Sequence, residues 1–565
     1  MVDAKSAVRC SSEKSLPEAM TRDIETDVEK DILDTLVSGP AAIPPENVTP
    51  TAQASGDRAL VLMDLENGLV GWDSADDPEN PQNWPWRKKW TLMLLIASIC
   101  TFSPMASSLC APGTSLTLAE FYTDDKTIGS LMISIFVLGY AVGPLFLAPL
   151  SELYGRTLVI NVSSAFFNAF ILGCSFAPNM SSLIVMRLLA GIGGSACMTI
   201  VSAIIGDVFK VHERAAASAI VVGTPSLAPI SKPPILHPVR ESLTSTVGPI
   251  AGGFISQYLG WRWAYWILLM GSGPLNIAMI FCMRESNHPT ILSRKTIRLR
   301  KSLHRPDLRS HLEIHLPPRQ LLARSIVRPA KFLFRSPIAF LISLYVSIVY
   351  GTLYLLFTTI PDVFQNTYDF EIQYTGLAYL GLGLGMFLAL ALVVKFNDRT
   401  VLRLRNKNGG VFEPEMRLAT TPYFAPFMPA SLLLYAWTAR SSVHWIVPCL
   451  SFIPYGFGLL VKSPRSPLLS TAHTNHHPLT GIFVPCQTYM VDAFLSTAAS
   501  AVAALVCLRC IFGAVLPLVG PVMYARLGLG WGNTVLGLIT VAVTPVPFAF
   551  LRWGGWVRRR WPVEL

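Results

Sequence analysis

Apolar runs near twenty residues long, such as "TLMLLIASICTFSPMASSLC" and "LMISIFVLGYAVGPLFLAPL", recur along this chain and constrain its fold more than any other feature. A bilayer core about 30 Å thick needs roughly 20 helical residues to cross it. Lipid offers no hydrogen-bond partner, so backbone groups must pair within the segment, which selects helices. The strand-like alternation of outer-membrane barrels is absent. Composition agrees: 52% of the residues are hydrophobic, only 14% are charged, and mean hydropathy is +0.46. Soluble domains carry about 25% charged residues. The 565 residues are therefore read as an all-α membrane protein rather than as several soluble domains.

Twelve transmembrane spans can be marked, at about 90–111, 127–148, 158–177, 182–206, 215–259, 263–283, 337–359, 374–396, 419–438, from Trp445, at 497–520 and at 530–551. They divide into two six-helix bundles, 89–283 and 336–552. Residues 1–88 are expected to be a disordered acidic tail, because up to Gln82 they hold 17 Asp/Glu against 6 Lys/Arg and show no periodicity. No early apolar segment marks a cleavable signal peptide, so the first span is expected to direct insertion. Residues 284–335 read as a polar loop with 13 Lys/Arg and 3 Asp/Glu, and 553–565 as a basic tail. Arg156, the cluster Arg399, Arg403, Arg405 and Lys407, and Arg558 to Arg560 fall on the same side as that loop. The positive-inside rule assigns this basic face, with both termini, to the cytosol. Anionic lipid beside the loop accounts for its charge without nucleic acid.

Two segments interrupt this pattern. Residues 230–246 place Lys232, Pro233, Pro234, Pro238, Arg240 and Glu241 inside the fifth span, and 462–481 ("KSPRSPLLSTAHTNHHPLTG") split the tenth. Polar backbone facing lipid costs several kcal/mol per unpaired group. Deleting either segment rejoins a continuous apolar crossing, so both are read as unspliced introns carried into the coding sequence. His473, His476 and His477 lie in the second segment without an acidic or cysteine partner, so no metal site is assigned. Cys507 and Cys510 match C-x-x-C, but inside a span they read as two small apolar residues.

Several motifs carry chemistry. Between the second and third spans stands "APLSELYGRTLV", with Gly155 at a tight turn and Glu152 and Arg156 four residues apart. The fourth span holds "MRLLAGIGGSA", with Arg187 well inside the apolar run, where an unpaired charge costs at least about 2.5–3.5 kcal/mol. Arg187 should therefore face a cavity or a partner, and Arg509 in the eleventh span poses the same question. The fifth span carries "VGPIAGGF", whose Gly248, Pro249, Gly252 and Gly253 allow close packing and a bend. "DPENPQNWPWRKKW" precedes the first span. "IIGDVF" with Asp207 is echoed by "YMVDAF" with Asp492, placing two aspartates at equivalent ends of the two halves.

Together these motifs resemble the major facilitator superfamily, and within it the fungal twelve-helix drug:proton antiporters, over about residues 76–552. Ala148, Glu152 and Leu153 depart from the commonest superfamily form and fit the fungal one. The resemblance implies efflux of a small organic compound, drug or toxic metabolite from a fungal cell in exchange for protons. The alternatives are uptake or polyamine transport by the same fold, and an inactive product of the two inserts. It implies Arg187 and Arg509 as transport or coupling residues. Glu152, Gly155, Arg156, Asp207 and Asp492 become a cytosolic charge cluster that latches one state of an alternating-access cycle. No phosphate-binding "GxxxxGK[ST]" occurs, no nucleophile–base pair marks an enzyme, and no cofactor is called for. A monomer in the plasma membrane is expected, with the vacuolar membrane second. Asn179 is the one sequon on an outer loop.

Overall fold

The computed structural model describes residues 63–64, 68–74, 76–209, 213, 239–312, 318–386, 388, 414–462, 479–494 and 498–561. Helices dominate, and their starts are written in the sequence. The first span, α1 (Trp86–Ser108), follows a turn in which the Asn80 side chain accepts from the Gln82 N–H at 3.0 Å. The second, α3 (Lys126–Leu153), follows the short outer helix α2 (Thr114–Glu120) and is capped by Asp125, which accepts from Thr127. Asn179 caps the fourth span and Ser336, followed by Pro337, caps the seventh. Such short side chains satisfy first-turn N–H groups that have no intrahelical acceptor.

The remaining N-terminal spans are α4 (Arg156–Ser175), α5 (Met180–Gly194) continuing as α6 (Ala196–Val208), α7 (Val239–Tyr258) and α8 (Arg262–Cys282). In the second half, α11 (Pro337–Tyr368) runs nine residues beyond the expected 359. It is followed by a short helix (Ile372–Thr375), a tight 3-10 turn (Gly376–Tyr379) and helical residues 380–386, then α12 (Phe427–Thr438) and α13 (Ile446–Leu459). α14 (Phe483–Ala493) leads into α15 (Ala498–Val543) and α16 (Pro545–Arg560). Gly528, at φ +72°, breaks α15 between the eleventh and twelfth spans. Seven described segments are long and apolar enough to cross a membrane, the last being Ser500–Arg558 with that break inside it.

Small residues set the contacts between the halves. A side chain at Gly376 would meet the Pro249 carbonyl at 2.6 Å, and one at Gly253 would meet the Gln373 carbonyl at 2.9 Å. The Gly/Pro motif of α7 thus packs against the start of the eighth span. Gly513 of α15 lies against Tyr350 and Val137, and the Cys507 thiol donates to the Ala141 carbonyl at 3.4 Å. Cys507 and Cys510 are both free thiols, in keeping with the apolar reading.

Two expectations are corrected. The loop 284–335 contains α9 (His288–Ser302) and α10 (Pro318–Arg335). Residues 1–88 are expected to be a disordered acidic tail, yet residues 68–74 and 76–85 are folded, several of them against α9. β1 (Leu69–Val70) pairs in parallel with β2 (Arg309–Ser310), and Trp72, Asp77 and Asn80 are buried. Counting net charge hid this, because Trp72, Pro81 and Trp84 supply the apolar surface that folds it. The inserts fall largely outside the described residues. Residues 239–246 belong to α7, and β3 (Leu460–Lys462) pairs antiparallel with β4 (Leu479–Gly481) across the second.

Candidate functional site: a latch, a buried arginine and a hydroxyl chain

At the basic face, Gly155 adopts φ +99°, a conformation that L side chains rarely enter. This lets the chain reverse between α3 and α4 and opens space for the Glu285 carboxylate. Glu285 Oε1 accepts from three backbone N–H groups: Arg156 at 2.8 Å, Ser286 at 3.1 Å and Asn287 at 3.0 Å. A carboxylate on the first N–H of α4 also meets the positive end of that helix. Above it, the Arg156 guanidinium pairs with Asp207 at 3.3 Å and donates to the Ser151 hydroxyl at 2.6 Å. Asn287 donates to the Ser151 and Glu152 carbonyls, and His288 contacts the Asp207 carbonyl at 2.9 Å. Four segments are tied into one knot.

Gly155, Arg156 and Asp207, three of the residues singled out in the sequence, meet at this knot. Glu152 contributes only its carbonyl, and its side chain is exposed. The carboxylate that does the anchoring is Glu285, which the sequence reading missed. Its signal was available: an acid two residues before Asn287, which caps a helix with Pro289 in its first turn. Asp492 sits one residue before the end of α14, as Asp207 does in α6, so the two halves match in placement. Nearby, Glu415 pairs with Arg558 at 3.4 Å.

The folded tail locks onto this knot from outside. Trp72 stands edge-on to the His288 ring at 5.6 Å. Lys295 pairs with Asp73 at 2.9 Å and with Asp77 at 3.2 Å, while Asp77 also accepts from the Asp73 and Glu79 N–H groups. Burial works to raise the Asp77 pKa, but those backbone donors and Lys295 outweigh it and hold the carboxyl below its ordinary value. For Lys295 burial works downward, and the two carboxylates hold its ammonium above its ordinary value.

Inside the first bundle, Arg187 is 1% exposed and faces a partner rather than open space. It donates to the Tyr265 hydroxyl at 3.1 Å and the Ala106 carbonyl at 3.5 Å, with the Phe136 and Tyr265 rings alongside. Its Nε has no hydrogen-bond partner among the described residues.

Between the halves runs a chain of hydroxyls. Tyr350 donates to Tyr354 at 3.5 Å, and Tyr354 meets Ser107 across the interface at 3.0 Å. Ser107 gives its proton to the Pro104 carbonyl, so Tyr354 is the donor to Ser107. Tyr140 meets Ser103 at 2.6 Å, and Ser103 donates to the Gly194 carbonyl. The Arg509 guanidinium lies 5.1 Å over the Tyr350 ring. Tyr350 heads the chain between the halves, the Tyr140–Ser103 pair stands separately within the first half, and Gln257 is exposed. Asn179 is exposed and its side-chain oxygen accepts from the Ser182 N–H.

Helical bundles that meet along a seam of hydroxyls, with an ion-pair cluster at one end, fit a membrane transporter. A family model of the Major Facilitator Superfamily matches residues 94–237 and 241–479, and the chain belongs to that family. It is 42% identical over 490 residues to the MFS-type transporter penM of Penicillium rubens, covering 87% of this chain and 89% of that protein. It is 38% identical over 480 residues to the efflux pump radE of Floropilus chiversii, covering 85% and 82%. The fold matches the xylose transporter XylE of E. coli with a TM-score of 0.56 at 12% identity, covering 82% of this chain and 98% of that one.

Proposed function

We propose that this transporter exports a small organic compound, a drug or toxic metabolite, from a fungal cell by alternating access coupled to inward proton movement. The observation that carries the reading is the knot at the basic face. Arg156, Asp207 and Glu285 tie the ends of α3, α4 and α6 to the start of α9, so that the first bundle holds together as one body that can rock against the second. The resemblance to the efflux pump radE supports the outward direction. The described spans hold no His, their acids all lie within two turns of a helix end, Asp362 of α11 is already paired with Lys126 at 3.2 Å, and an arginine does not release its proton at physiological pH. Proton exchange is therefore assigned to the carboxylates at the basic end, Asp207 and Asp492, with Arg187 holding the bundle that Asp207 belongs to. The plasma membrane is the proposed location.

The test is a toxicity panel in a pump-depleted yeast expressing the chain. Resistance with lowered intracellular compound, abolished when the proton gradient is collapsed, is the expected result. Sensitisation would establish uptake instead.

A further inference from the structure

We infer that the seam between the halves is a binding site for organic anions with an aromatic body, with Arg509 as the residue that contacts the anionic group. This rests on the transport reading and names the substrate class for it. Deep within the described apolar spans the charged side chains are Arg187 and Arg509; Asp362 lies six residues from the end of α11 and pairs with Lys126, Arg526 stands beside the break at Gly528, and Arg552 lies past the twelfth span. Arg187 is wholly buried behind Tyr265 and the first-span carbonyl of Ala106. Arg509 is partly exposed near the middle of its span, directly over Tyr350, where the two halves face one another. In this low-dielectric interior a cationic substrate meets two like charges, whereas an anion meets a planar donor suited to carboxylate.

The hydroxyl chain supplies the second contact. Tyr354 and Ser107 spend their protons within the chain at 3.0 Å and 2.6 Å. Tyr350 donates through the longest link, 3.5 Å, at the limit of a hydrogen bond. Its O–H is therefore the donor most readily turned onto an incoming anion, and it lies against the same guanidinium. Phe483 stands edge-on to Tyr350 at 5.8 Å and Phe357 to Tyr354 at 5.6 Å, which gives an aromatic body faces to pack on. An anion also suits export, since an inside-negative potential favours its outward distribution by about fiftyfold per 100 mV for one charge.

The test uses three probes sharing one ring system, 1-naphthylacetate, 1-naphthylmethylammonium and neutral 1-naphthalenemethanol, titrated calorimetrically into the purified full chain. The expected result is binding of the anion at least about tenfold tighter than of the other two. Arg509→Gln should remove that preference, Arg509→Lys should keep part of it, and Tyr350→Phe should weaken the anion alone. Equal or tighter binding of the cation, no binding of the anion, or an Arg509→Gln protein that binds the anion normally would each overturn the site. If a variant does not fold, the order of the three probes on the wild type still decides. Vesicle transport separates the two readings. Anion binding that needs Arg509 but drives no export leaves this site standing and fells the export reading. Export of cations that ignores Arg509→Gln does the reverse.

Discussion

Gly155→Ala is the perturbation whose consequences can be followed furthest. The backbone there stands at φ +99°, ψ +157°, a region essentially reserved for glycine, and holding alanine in it costs about 1–3 kcal/mol. The new Cβ would also lie 2.7 Å from the Glu285 carboxyl carbon and collide with its Oε2. Glu285 must then leave, surrendering three backbone donors at 2.8–3.1 Å. At a half-exposed site where water replaces part of the loss, this costs about 2 kcal/mol for the set. Together the knot should weaken by about 3–5 kcal/mol, which shifts any equilibrium that requires it more than about a hundredfold. The assay is a cycle of melting midpoints for purified Gly155→Ala, Glu285→Ala and the double variant. The steric reasoning requires strong non-additivity. Alanine at 155 already expels Glu285, so removing Glu285 as well should lower the midpoint little further. If the two drops simply add, the collision is not what destabilises Gly155→Ala and the reasoning is refuted.

Other outcomes follow from the same contacts. Asp77 has its pKa depressed, so its stabilising pair is fully present above the ordinary carboxyl range and lost as pH falls below about 4. That of Lys295, whose pKa is raised, is lost only as pH climbs above about 10. Asp77→Asn should thus melt lower than wild type at pH 7, and the gap should close on acidification below about pH 4; a gap independent of pH would show that the pair is not ionic. Arg187→Ala is expected to reach the membrane at normal levels and lose transport, and Arg187→Lys to retain little, since an ammonium cannot span Tyr265 and Ala106 at once; normal transport by Arg187→Ala would reduce Arg187 to a structural bond. Deleting 230–246 and 462–481 together should give a chain that inserts and transports, and the spliced transcript should lack both; peptides from either segment in the native protein would refute the intron reading.

Legibility tracked how local the determining physics is. The seven described spans were readable because a helix in lipid satisfies its own backbone, so length and apolarity suffice. Caps such as Asp125 and Asn179 act within three residues of themselves, so they too are local. The eleventh and twelfth spans were separable at Gly528, although the helix otherwise runs on. The site was harder. Gly155, Arg156 and Asp207 stand out in the sequence because a turn glycine and charges at helix ends are locally odd. Glu285 lies 129 residues from the N–H it caps, and nothing at Arg156 announces a missing acceptor. The tail from Trp72 to Trp84 was misjudged because its charge resembled the rest of residues 1–88, while its partner, Lys295, stands 218 residues from Asp77.

That misjudged segment changes how the latch should be viewed. His288 touches Asp207 on one side and Trp72 on the other, and Lys295, two turns further along the same helix, holds Asp73 and Asp77. α9 is therefore gripped by the tail at the face where it meets the Arg156–Asp207 pair. An opening that separates Arg156 from Asp207 must either carry α9 and the tail along as one body or break the Trp72 and Lys295 contacts too. The parallel pairing of β1 with β2 favours movement as one body, because its backbone bonds from Arg309 to Gly68 and from His311 to Val70 brace the far end of the same unit. Truncating through residue 85 should then loosen α9 without touching a span, slowing the return to the latched state while leaving the seam around Tyr350 intact. Loss of probe binding at that seam after truncation would show that the tail and the binding site are one structure rather than two.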